Sequence, residues 1–370
     1  MVSACASATS AATDATLPTA SLSTSSGTTD GTWAIVPMGH ANVPFNIFWQ
    51  VFFRSSDGSS WTLVTPRGVA DNGGLVMTSG AEDPVTVGFL PNQNLLFSPL
   101  ALTSDEGSTW VPGAIPDALA SEPDALAGSA GGDSYALVTA GGGGVLVATS
   151  PDPTTWRTLV SRRALARTPA GLTCGIGRLT AVTVDSSGAP LIATTCHHKG
   201  VVGVFAEHDG RWVLVGPHVP GASTGDVLRL VDSGSAVSSL LAFDTGGRTT
   251  IVAAWSGDGT GRWTRSPALV IGSSDHSVST ATGENGEFLV AAPAPDGAMR
   301  LWALAGPAAP WRELRAPPAG TKTVVAGPNG EVDALSVNGS RLTDWVLTTA
   351  SGPWTPRQTI TAPIVYGSSN

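Results

Sequence analysis

His197 and His198 are adjacent, with His208 downstream, and together they form the chain's densest group of imidazoles. Neutral imidazole is the commonest protein ligand for zinc and copper. Adjacent residues of a strand point to opposite faces, however, and no cysteine or carboxylate completes a ligand spacing here, so no metal or other cofactor is expected. Asp71, Asp226, Asp244, Asp275 and Asp296 each lie in segments rich in turn-forming residues. Two such carboxylates held roughly 5 or 6.5–9.5 Å apart can hydrolyse a glycosidic bond, whereas scattered ones are solvated loop acids. The arginines of "SRRALAR" (Arg162, Arg163, Arg167) suit an acidic polymer or protein, or a solvated turn. "AGGGG" (140–144) precedes a strand pattern rather than a helix, so it lacks the helix N-terminus that makes glycine-rich loops bind phosphate.

The elements that must position these residues are set by tryptophan. Trp61, Trp110, Trp156, Trp212, Trp263, Trp311 and Trp354 recur at intervals of 49, 46, 56, 51, 48 and 43 residues. A period of about 40 to 50 residues is the mark of propellers and arrays. Each tryptophan follows a turn-like segment that itself follows an apolar run, as in "NLLFSPLALTSDEGSTW" and "TTIVAAWSGDGTGRW". Two further strand-like runs lie upstream, for example "KTVVAGPNGEVDALSV", so each unit reads as four short strands. In the first unit "TWAIVPMG" supplies a second strand and "ASLSTSSG" (20–27) is the weakly marked candidate for the innermost one. Composition agrees: 42% hydrophobic, 13% charged, 45 glycines and 27 prolines suit many strands joined by tight turns. The predicted fold is all-β, a seven-bladed β-propeller of four-stranded antiparallel blades.

"TSDEGSTW" (103–110) matches the pattern Ser/Thr-x-Asp-x-Gly-x-Thr-Trp and resembles the Asp-box of sialidase-like, BNR-repeat propellers. "SSDGSSW" with Asp57 is a residue shorter, "SGDGTGRW" with Asp258 keeps the Ser, Asp and Trp, and the last two units have lost the acid. Asp105 is expected to accept hydrogen bonds from its own turn, Gly107 to take positive φ, and Ser104 and Thr109 to satisfy remaining donors. The resemblance implies that these turns are structural and that ligands bind at the opposite end of the ring, near the channel mouth. That end is formed by loops between second and third strands and between units. His40, His197, His198, Lys199, Asp226, Arg248, Asp275 and Arg341 are the binding candidates there. Segment 111–128 is the longest of these loops and a candidate for a short helical turn. Sialidase chemistry would require an arginine triad, a glutamate-activated tyrosine and an aspartate. The chain has two tyrosines, with Tyr135 reading as a second-strand residue and Tyr366 as tail, and no Arg-Ile-Pro stretch, since Arg54 leads into a turn.

Residues 6–30 are largely Ala, Ser and Thr, and "VSAC" ending at Cys5 resembles a bacterial lipobox. Residues 1–14 are expected to form a disordered tether and 15–365 a single propeller domain. Cys174 and Cys196 flank a hairpin around "DSSG", which makes a disulfide geometrically reasonable and suits an oxidising compartment; two separate buried thiols are the alternative. A net charge of −9 disfavours nucleic acid or an anionic membrane surface as partner. The expectation is an extracytoplasmic, monomeric, non-catalytic propeller that binds a cell-envelope glycan or a protein and touches the membrane only through a lipid on Cys5. A divergent sialidase-like glycoside hydrolase is the alternative.

Overall fold

The computed structural model describes residues 24–27, 30–39, 48–56, 58, 60–66, 75–77, 85–89, 100–113, 123–129, 132–138, 144–149, 155–220, 225–233, 236–244, 248–272, 278–283, 286–294, 296, 298–327 and 330–363. Cys5, His40, Asp57, Asp71, Asp275 and Tyr366 lie outside them.

The tryptophan period corresponds to antiparallel meanders of four consecutive strands. The first comprises β1 (Thr24–Gly27), β2 (Gly31–Met38), β3 (Phe48–Ser55) and β4 (Thr62–Leu63). The second runs through β5 (Leu75–Met77), β6 (Val85–Phe89), β7 (Leu100–Thr103) and β8 (Val111–Gly113). The third contains β9 (Pro123–Gly128), β10 (Ser134–Val138), β11 (Val145–Thr149) and β12 (Arg157–Ser161). The fourth is β13 (Ile176–Val184), β14 (Pro190–Cys196), β15 (Gly203–His208) and β16 (Arg211–Leu214). In the fifth, β17 (Gly225–Asp232), β18 (Val237–Asp244) and β19 (Thr249–Ser256) pair in order, and β20 (Thr264–Arg265) and β21 (Leu269–Val270) both add to β19. The sixth has β22 (Ser279–Thr282), β23 (Phe288–Pro293), β24 (Met299–Leu304) and β25 (Arg312–Leu314). The last has β26 (Thr321–Ala326), β27 (Val332–Asn338), β28 (Arg341–Leu347) and β29 (Thr355–Thr361).

Part of the Ala/Ser/Thr tract is therefore structured. Thr24–Gly27 is the inner strand that "ASLSTSSG" was expected to supply, and it also pairs in parallel with β22. The helical turn expected within segment 111–128 falls outside the described residues. Residues 114–122 of segment 111–128 are not described, while the "SRRALARTPAG" segment forms α1 (Arg162–Leu165) and α2 (Pro169–Cys174). Ser161 and Thr168 cap their N-termini, accepting from the amides of Ala164 and Gly171, and Pro169 sits where a helix needs no N–H donor.

Each meander shares an apolar cluster with the next, and each cluster holds one marker tryptophan. Trp110 packs between the first and second meanders, Trp156 between the second and third, Trp212 between the third and fourth, and Trp263 between the fourth and fifth. Trp311 and Trp354 continue the order, and Trp61 joins the last meander to the first. Burial of these faces between sheets is the main apolar contribution to stability. The indoles also clip sheets by hydrogen bond. Trp110 Nε1 donates to the Val64 carbonyl at 2.8 Å, Trp263 to Val215 at 2.6 Å, Trp311 to Pro267 at 2.9 Å and Trp354 to Ala316 at 2.8 Å.

The turn that delivers Trp110 is built much as its sequence implies, with one substitution of roles. Asp105 accepts from the Thr109 amide (2.8 Å) and hydroxyl (2.6 Å), and these bonds hold its carboxyl below the usual range. Gly107 takes φ 80°, where a side chain would strike Val64. The hydroxyl closing the turn belongs to Thr103, not Ser104: it donates to Asp105 and accepts from the Gly107 amide. Asp258 repeats the pattern with Ser256 and Gly259.

Where the last meander meets the first, buried charge joins them. Arg54 on β3 pairs with Asp333 on β27, and its guanidinium stacks 4.7 Å from the centre of the Trp61 ring. Arg357 on β29 lies 3.0 Å from Asp333 and 2.8 Å from Asp344 of β28. The Gln358 side chain accepts from the Trp61 amide (2.6 Å) and donates to its carbonyl (3.0 Å). Trp61 Nε1 itself finds no acceptor among the described residues.

Candidate functional site

The strand ends opposite the Asp105 turn carry most of the sequence-derived binding candidates, and the structure assembles some of them at one place. The nucleus is the disulfide between Cys174, at the end of α2, and Cys196, at the end of β14, with Cα atoms 4.9 Å apart. It anchors the segment after β14, whose His197 and His198 amides donate to the carbonyls of Gly175 and Cys174. Nδ1 of His198 lies 2.8 Å from the Thr173 carbonyl, and a Cβ on Gly177 would come within 3.2 Å of His197 Nε2. Gly175, at φ 65°, ends α2 in the left-handed region that glycine adopts without strain. Arg162 of α1 closes the ring by donating to the Gly177 carbonyl at 3.0 Å.

Around this knot the surface is basic. Arg163, Arg167, Arg178, His197, His198 and Lys199 are all exposed, and Leu172 presents an apolar side chain among them, 65% exposed. Residues 161–200 contain Arg162, Arg163, Arg167, Arg178 and Lys199 against one acid, Asp185. Asp185 occupies the β13–β14 turn at the other end of that hairpin. An exposed cationic patch on a chain of net charge −9 attracts anions locally while the remaining surface repels them.

Asp226 departs from its expected place. It was read as a loop acid; it lies within β17, paired opposite Ala242, is 3% exposed, and bonds Arg178 at 2.9 Å. Burial raises its pKa and the Arg178 guanidinium pulls it back. Pairing with β18 extends the strand into "GASTGD", because Gly225 can lie flat against the Phe243 ring, which a Cβ would approach to 2.5 Å. Asp226 is thus an anchor that fixes Arg178 at the rim. Arg229 ties the same strand to β22 through Thr280, and its burial lowers its pKa to about 10.

Arg248, ahead of β19, and Arg341, opening β28, are exposed on their own meanders rather than gathered at this patch. Asp296 is engaged by the Ala298 amide and Arg300. Tyr135 is a second-strand residue on β10: its phenol donates to the Gly188 carbonyl and burial pushes its pKa up to about 12, which makes it a clamp between meanders. Among the described residues, no three His, Cys, Asp or Glu side chains gather as a metal site.

Sequence reasoning missed the opposite end of the ring. There a cleft of about 490 Å³ opens between the first, sixth and last meanders, lined by Arg54, Ser55, Glu287, Ala305, Arg312 and Glu331. The legible signal was a charged residue at an inward strand position: Arg54 alternates with Phe52, and Asp344 with Leu342 and Val346.

These features define a β-propeller, and comparison with known proteins agrees at the level of fold. No family model and no curated protein matches the chain. Among solved structures it is similar to a periplasmic gluconolactonase of Pseudomonas aeruginosa, at 13% identity and TM-score 0.50, with 89% of this chain and 96% of that one covered. A protein from Lactobacillus plantarum gives 12% identity, TM-score 0.51 and the same coverages, 89% and 96%.

Proposed function

We propose that this chain is an extracytoplasmic, seven-bladed propeller of the BNR/Asp-box type that binds an acidic cell-envelope glycan without catalysis. The blade count is supported by the order of the shared apolar clusters, and the Asp-box likeness by the turns at Asp105 and Asp258. The Cys174–Cys196 bond supports an oxidising compartment. In this reading the protein acts as a monomer held near the envelope by a lipid on Cys5, which mass spectrometry of the native protein tests directly.

The observation that carries the binding reading is the exposed basic rim built on the disulfide knot. Arg163, Arg167 and Lys199 provide the charge, Arg178 is oriented by buried Asp226, and Leu172 offers an apolar surface for a sugar ring face. Guanidinium groups suit carboxylates and phosphates because they donate two parallel hydrogen bonds. His197, His198 and the more distant Arg248 and Arg341 are assigned to the same end of the ring.

The test is a glycan array probed with the full chain and with the triple variant R163E/R167E/K199E. The reading predicts retention of uronate- or phosphate-bearing glycans and its loss in the variant. Retention of neutral glycans alone, or an unaffected variant, would contradict it, and turnover of a reporter glycoside would favour the hydrolase instead.

A further inference from the structure

The last meander, β26 to β29, is held unequally by its two neighbours, and we infer that it is a movable wall of the ring, swinging outward as one unit while the first and sixth meanders stay joined. The chain itself spans every junction except the one between the last and first meanders. One backbone hydrogen bond crosses that seam among the described residues, from the Gly39 amide to the Gly339 carbonyl. On the other flank the Arg315 amide donates to Ala350 and Trp354 Nε1 to Ala316, so the last meander is fastened along its link to the sixth. The ring keeps its continuity without it. β1 pairs in parallel with β22, which makes the first and sixth meanders one eight-stranded sheet, and β26 lies alongside both strands.

The seam with the first meander is also the costlier one to keep shut. Nη2 of Arg54, Nε1 of Trp61, Oδ1 of Asp333, Oδ1 of Asp344 and Nη2 of Arg357 are all buried there without a hydrogen-bond partner among the described residues. Arg357 Nη2 lies 3.0 Å from Asp333 Oδ1 and still misses hydrogen-bond geometry. Buried polar atoms left unpaired weaken an interface, because water satisfies them once it opens. Opposing them is the apolar cluster around Trp61, which opening gives up, whereas the cluster around Trp354 stays shut. Giving up one apolar cluster costs less than giving up all of them, so this opening lies below global unfolding in free energy. Its consequence falls on the cleft of about 490 Å³, whose lining includes Glu331 and Val332 of the last meander together with Ser55 and Arg312. Outward movement of the last meander widens that cleft, whatever the basic rim binds.

Native-state hydrogen exchange of the full chain, followed by peptide mass spectrometry at rising sub-denaturing urea, tests this. Amides of β26, β27 and β28 should share one opening and exchange about tenfold or more faster than those of β14 and β18. Their urea dependence should be the weaker, since less surface is exposed than in global unfolding. Amides of β2 and β23 should not share that opening. R54M/D333L, which replaces an ion pair with apolar side chains and removes two of the unpaired atoms, should slow the opening about tenfold. The wild-type pattern decides the question even where the variant fails to fold. Exchange of β26 to β28 only together with β14 and β18, inclusion of β2 or β23 in the same opening, or a folded variant that opens as fast as wild type would overturn the proposal.

Discussion

Arg54 and Asp333 are 279 positions apart in sequence and form a buried ion pair where the last meander meets the first. No strand is exchanged across this junction among the described residues: β1 lies in the first meander and β29 in the last. Closure there rests on the cluster around Trp61, the charges beneath it and a backbone bridge in which the Gly39 amide donates to the Gly339 carbonyl at 3.1 Å. Removing one partner of a buried pair strands the other, at a cost of about 3–5 kcal/mol. Arg54→Ala and Asp333→Ala should each lower stability by that amount in urea denaturation. Their double variant should cost less than the sum, whereas additive losses would show that the pair is not coupled.

Protonation should modulate the same junction. Burial first, and then the neighbouring Asp333, raise the pKa of Asp344 from 3.8 to about 6, against the opposing pull of Arg357 and Arg54. The folded protein therefore holds this proton more tightly than the unfolded chain. The contribution of Asp344 to stability falls as pH rises from about 4 to about 6, then levels. Asp344→Asn should flatten the stability profile across that interval relative to wild type. An unchanged slope would place the titration elsewhere.

How much of this was legible in the sequence follows from separation. The tryptophan period and the Asp105 turn are local patterns, and the clusters between sheets follow from them. The Arg54–Asp333 junction joins the two ends of the chain, so no spacing announces it; only acids set at inward strand positions hint that a partner is near. Asp226 was misplaced because "GASTGD" contains the residues turns prefer, while pairing with β18 overrides that preference. Thr103 took the role expected of Ser104 because the strand end aims its hydroxyl into the turn.

The indole clips should have a measurable share in stability. Trp110→Phe keeps an aromatic ring between the first and second meanders but removes the bond to Val64. A loss of about 1 kcal/mol beyond the change in packing is expected. Trp263→Phe should behave alike through Val215. Equal stability of variant and wild type in thermal denaturation would show that the bonds contribute nothing.

Reduction should act on the rim before the ring. The Cys174–Cys196 bond closes a loop spanning 22 residues, and cross-links of that size contribute about 3 kcal/mol. Cys174→Ser with Cys196→Ser should lower stability accordingly and raise hydrogen exchange in 169–178 and 196–200 above that of β23 and β28. Uniform protection in the variant would mean that the disulfide does not organise the rim.

The most direct measurement is a titration of the full chain with one acidic glycan retained on the array, repeated at rising ionic strength. If the basic rim is the site, affinity falls steadily as salt screens it, and R163E/R167E/K199E abolishes both binding and its salt dependence. Affinity that is indifferent to salt, or a variant that binds as wild type does, would contradict the account.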